Sequence, residues 1–117
     1  MAINVKNMKT WVKALRSGKY KQTTSVLHDE EGFCCLGVAC DISGLGKWKS
    51  GLYEKRYAID GGAGSVSVLP IPVRDWLGLK STNPTVGQKQ LSIYNDAGKS
   101  FEEIADIIER EYDLKNR

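Results

Sequence analysis

Apolar residues recur at helical spacing near both ends of the chain and lose that spacing in between. Met8, Trp11, Val12 and Leu15 follow an i, i+3, i+4, i+7 pattern that predicts an amphipathic helix over residues 4–17. Asn4 or Asn7 can cap its start and Gly18 can end it. Residues 101–112 predict a second such helix, with Phe101, Ile104, Ala105, Ile108 and Tyr112 inward. It opens on Ser100-Phe101-Glu102-Glu103, a capping box in which the serine and the glutamate three residues on satisfy each other's free N–H groups.

Between these helices the pattern changes. Tyr20–His28 is rich in β-branched and aromatic residues and predicts a strand. A turn at Asp29-Glu30-Glu31-Gly32 leads into a helix from about Cys34 to Ser43, closed by Gly44 and Gly46. Lys47–Lys49 and Leu52–Ile59 predict one or two strands, Gly61–Gly64 a turn, and Ser65–Leu69 a return strand. Pro70 and Pro72 stop the sheet. Ile71–Leu79 fits a short helix with Val73, Trp76 and Leu77 on one face and Gly78 at its end. After the Asn83-Pro84 turn, residues 87–97 predict a helix with Leu91, Ile93 and Tyr94 inward, stopped by Gly98. The expected fold is a small α+β domain spanning residues 1–117, a short antiparallel sheet packed with four to five helices.

Composition narrows the class. With 41% hydrophobic and 26% charged residues in 117, the chain has enough apolar side chains for one core. It has no apolar run of about 18 residues, so no membrane partner is expected. The amino terminus lacks the features of a secretory signal and three cysteines make no disulfide framework, which points to the cytoplasm. The net charge of +3 is too low for a dedicated nucleic-acid module. Yet from Lys6 to Lys21 there are six cations and no acid, while acids dominate residues 102–113. Two solvated helix faces of opposite sign, or a basic face for phosphate contact, both account for that split.

All three cysteines fall in Phe33-Cys34-Cys35-Leu36-Gly37-Val38-Ala39-Cys40-Asp41. A helix start offers free N–H groups and positive potential, which favour a thiolate or a bound anion. Cys34, Cys35 and Cys40 with His28 are metal-capable, but adjacent cysteines diverge and no Cys-x-x-Cys pair occurs, so no metal is expected. A thiol opening a helix with His28 shortly before it fits the logic of cysteine hydrolases, with Asp41, Asp96 or Asn95 as orienter. The plain alternative makes Cys35 and Cys40 core residues and puts His28 at a strand end. No phosphate-binding loop or dinucleotide fingerprint is present, and no cofactor is expected. What remains is an anion cradle at the helix start, with Gln22, Thr23, Thr24, Ser25, His28 and basic Lys19 and Lys21 nearby and Tyr20, Trp48, Tyr53 and Tyr57 able to stack a base.

The segments Leu15–Gln22, Phe33–Asp41, Leu69-Pro70, Trp76-Leu77-Gly78 and Asn95-Asp96-Ala97-Gly98-Lys99-Ser100-Phe101 together resemble a family of small tailed-bacteriophage proteins. The resemblance covers nearly the whole chain and rests on its Cys-Cys-Leu-Gly-Val-x-Cys-Asp and Asn-Asp-x-Gly-x-Ser-Phe segments. It implies by context an anti-defence protein that sequesters an anionic nucleotide signal, a cyclic ADP-ribose type or a cyclic oligonucleotide of Thoeris or CBASS defence. Under that reading Tyr20, Gln22, Thr24, His28, Cys34, Cys35, Asn95 and Asp96 bind the ligand, no residue is catalytic, and a homo-oligomer is expected. Two alternatives stay open. One is a metal-independent hydrolase using His28 with Cys34 or Asp96. The other is a protein that inhibits a host enzyme through its basic helix.

Overall fold

A computed structural model describes residues 2–117. It is an α+β fold in which the helices enclose one cluster of buried side chains and a short antiparallel sheet lies beside them. Helix α1 (Val5–Arg16) forms where its periodicity places it. Asn4 caps it, Oδ1 accepting from Asn7 N–H at 3.0 Å, and Met8, Trp11, Val12 and Leu15 are buried. Helix α2 (Cys35–Ser43) starts one residue after its N-cap, Cys34. Six consecutive residues, Cys35–Cys40, are buried, so the first turns of this short helix are apolar all round and sit in the core, with Asp41 and Ser43 at its polar end. Trp11 donates from its indole N–H to Cys35 O (3.0 Å), which ties α1 to α2 and satisfies the polar edge of a fully buried ring.

The sheet runs β1 (His28–Asp29), β3 (Glu54–Ala58), β2 (Lys47–Ser50) in spatial order, all antiparallel. Trp48 lies opposite Tyr57 and Lys49 opposite Arg56. Helix α3 (Ile71–Leu77) follows Pro70 and ends on Gly78 at φ +76°. A second hairpin, β4 (Thr85–Val86) and β5 (Lys89–Gln90), precedes α4 (Leu91–Asp96). Helix α5 (Phe101–Glu111) has both bonds of the expected capping box and runs into a 3₁₀ turn at Leu114–Asn116. It packs along α1.

Four expectations are corrected. Residues 20–28 are not a strand. Only His28 joins the ladder there, because Gln22, Thr23 and Ser25 bond to side chains and backbone elsewhere and Ser25 turns to φ +73°. Ser65–Leu69 makes one bridge, Ser65 with Tyr57, before leaving the sheet: Val66 O takes the Leu27 N–H, and Leu69 N–H goes to Thr82 O. The helix expected from residue 87 begins at Leu91, since Gly87 at φ +68° makes a two-residue turn between β4 and β5. Within α4, Ile93 is 46% exposed, and the residue that turns fully inward is Asn95.

Candidate ligand-binding site

Four of the eight expected site residues meet at Asn95, whose side chain is wholly buried. Its Oδ1 accepts from Gln22 Nε2 (2.8 Å) and from Cys35 N–H (3.2 Å). Its Nδ2 donates to Thr23 O (2.8 Å) and to Asp96 Oδ1 (3.3 Å). Gln22 Nε2 also donates to Lys99 O (2.7 Å), and Ser25 N–H to Asp96 Oδ1 (2.9 Å). This network spans from residue 22 to residue 99 and fastens the 20–27 loop to the first turn of α2 and the last turn of α4. Its polar groups are turned on one another.

The start of α2 is therefore supplied from within the protein. Asn95 takes the Cys35 N–H, and Cys34 Sγ accepts the Gly37 N–H at 3.4 Å. Burial pushes the Cys34 thiol up to about 11, with hydrogen bonds from Gly37 and Leu36 partly opposing it. Burial raises Cys35 well above its usual value, and raises Cys40 as well. Such thiols are protonated and poorly nucleophilic at neutral pH. His28 faces elsewhere: its ring stacks on Phe33 with centroids 3.7 Å apart, meets Trp48 edge-on, and its Nδ1 lies 2.6 Å from Gly32 O. Among the described residues, no group of three His, Cys, Asp or Glu side chains converges as a metal cage.

Tyr20 belongs to a separate cluster. Its hydroxyl donates to Asp41 Oδ2 (2.6 Å) while Trp48 Nε1 donates to Asp41 Oδ1 (3.0 Å), and its ring meets Phe33 edge-on. Burial and then the Asp41 carboxylate raise its pKa. Thr24 is exposed. A polar crevice of about 190 Å³ touches Ser25, Cys34, Ser67, Asn83, Ser92 and Asp96. That volume is below the roughly 300–1,000 Å³ of small-molecule pockets.

A larger concavity lies along α1, against α5 and the 3₁₀ turn. It measures about 700 Å³, with Val12 and Leu114 as apolar lining and Lys9, Lys13, Lys19 and Lys115 around it. Arg16 also reaches it but is already held, its guanidinium bonding both oxygens of Glu109 (3.1 Å each) and Asp106 Oδ1 (2.5 Å). Of the lysines, Lys115 approaches Glu109 at 3.8 Å and Lys9 donates to Arg117 O. Lys13 and Lys19 make no ion pair among the described residues. Of these lysines only Lys19 was expected near the anion cradle, and none is among the eight expected ligand-binding residues. Their signal in the sequence was the acid-free run from Lys6 to Lys21, which is equally the pattern of a solvated face.

A family model described as a domain of unknown function, DUF8296, covers residues 1–112. Neither a curated protein nor a solved structure matches the chain closely enough to show kinship.

Proposed function

We propose that this protein, which belongs to the DUF8296 family, is a binding protein that sequesters an anionic nucleotide signal without cleaving it. The observation that carries this reading is the lysine-lined groove on α1. Its volume suits a mono- or dinucleotide, and its cations offer phosphate contacts while the methylene stems of its lysines give a base or ribose an apolar surface. The Asn95 network then acts as the frame that holds the loop after α1, and with it Lys19, in place. The setting is the one the resemblance to small phage proteins implies, antagonism of a host signalling defence. Binding is favoured over cleavage because hydrolysis needs a positioned acid and base. The thiols are held protonated by burial, and no hydrogen bond joins His28 to Cys34 among the described residues.

The test is to incubate the protein with a panel of cyclic nucleotides and cyclic ADP-ribose isomers, filter, release by heat and chromatograph. Intact ligand recovered only after heating is the expected result. The double variant Lys13→Glu/Lys19→Glu should weaken retention by about tenfold or more, since it reverses two charges facing the ligand. Cleavage products would make the protein an enzyme. Neither retention nor turnover would transfer the basic groove to a protein partner.

A further inference from the structure

The β2–β3 ribbon carries a second cationic surface, distant in sequence from the groove. Strand alternation places Lys47, Lys49 and Arg56 on one face and turns Trp48 and Tyr57 to the other. All three cations are exposed, whereas Tyr57 is buried. Lys49 stands directly across from Arg56, a like-charge pair that weakens a two-stranded ribbon. The one acid on these two strands, Glu54, lies 3.6 Å from Arg56. Lys47, Lys49 and Lys55 have no ion pair among the described residues. At the tip, Gly51 N–H donates to Glu54 O (2.7 Å) and holds Leu52 and Tyr53 out into solvent, 85% and 83% exposed.

We propose that this ribbon is a docking surface for single-stranded nucleic acid. Phosphates would neutralise the face bearing Lys47, Lys49 and Arg56, relieving the repulsion between opposed cations. The exposed ring of Tyr53 offers a stacking platform that only an unpaired base can use. The modest net charge of the chain does not oppose this, because five of its 14 acids lie on α5, where Arg16 and Lys99 pair with four of them, and on the three-stranded sheet only Asp29 and Glu54, opposite each other, stand beside the cations. An acidic polypeptide would satisfy the lysines but make less use of the aromatic tip.

The experiment is fluorescence anisotropy of the full chain with a labelled oligothymidine of about 16 nucleotides, at low and at moderate salt. Binding that falls steeply with salt is expected. Lys49→Glu should weaken it by about tenfold or more, while the melting temperature holds or rises because the like-charge pair becomes an attractive one. Tyr53→Ala should weaken it by about fivefold or more and leave the fold intact. No binding at low salt, or equal binding by both variants, would overturn the proposal. So would a duplex that binds equally well and ignores Tyr53→Ala, which means phosphate contact alone. Polyglutamate competing as well as the oligonucleotide would assign the surface to an acidic protein instead. Lys13→Glu/Lys19→Glu should leave oligonucleotide binding unchanged, and Lys49→Glu should leave nucleotide retention unchanged, so the ribbon and the groove can fail separately.

Discussion

Asn95 uses both ends of its amide inside the protein, accepting at Oδ1 and donating from Nδ2. Leucine has no polar group to offer, and an aspartate would lose the donor and set a carboxylate against Thr23 O and Asp96. Asn95→Ala leaves the Cys35 N–H and Thr23 O without their partner and takes one of the two acceptors of Gln22 Nε2, which keeps Lys99 O. Each buried unsatisfied group costs about 1–3 kcal/mol. Urea unfolding should therefore show a loss of about 3 kcal/mol. A change within about 0.5 kcal/mol of the native protein would mean that the network is replaceable. Sequence alone marked Asn95 as polar and of chemical interest. It could not say that the amide points inward, because a helical position's facing depends on what packs against it.

The same limit operates on whole elements. Helix α2 lies so close to the loop before it that a Cβ on Gly37 would come 2.7 Å from Leu27 C and nearer still to Leu27 O, both backbone atoms that cannot swing aside. The Cys34 N–H donates to that same Leu27 O at 3.0 Å, which fixes the approach. Gly37→Ala, a mild change in an exposed helix, should here cost about 3 kcal/mol or more by overpacking. Thermal melts of the variant would check it, and an unchanged melting temperature would show that α2 can shift outward. Helices α1 and α5 were legible because their caps and apolar spacing lie within the elements themselves. The supposed strand over residues 20–28 was not, because the Gln22 side chain bonds to Lys99 O and the Ser25 backbone N–H to the Asp96 carboxylate, and those bonds outweighed strand propensity.

At the scale of the whole molecule, the first and last helices set opposite charges against each other. Arg16 on α1 joins Glu109, Asp106 and Glu102 on α5, and its bidentate bond to Glu109 holds that carboxyl below its usual value of 4.5. The Ser100 N–H holds Glu103 below the same value at the capping box. A carboxylate whose folded pKa is lowered adds stability that is fully present above the unfolded value. That stability is lost as pH falls below it, through the folded one. Melting temperatures should therefore decline as pH drops below the usual 4.5 of these groups. Arg16→Gln should be less stable at pH about 7 and show a shallower decline on acidification. Parallel curves for the two proteins would mean that other carboxylates govern the acid limb.

Secondary structure came through from sequence wherever its causes are local: the Ser100 capping box, the Asn4 cap, the glycine that ends α3 and the apolar spacing of α1 and α5. The α+β class followed from them, since amphipathic helices around a short ladder must bury their apolar faces together. Tertiary packing alone decided that Gln22 and Cys35 both donate to Asn95, that Lys9, Lys13, Lys19 and Lys115 share a groove, and that Lys49 opposes Arg56. These are meetings between residues distant in the chain. They depend on how elements dock and on strand register, which residue type and local spacing do not specify.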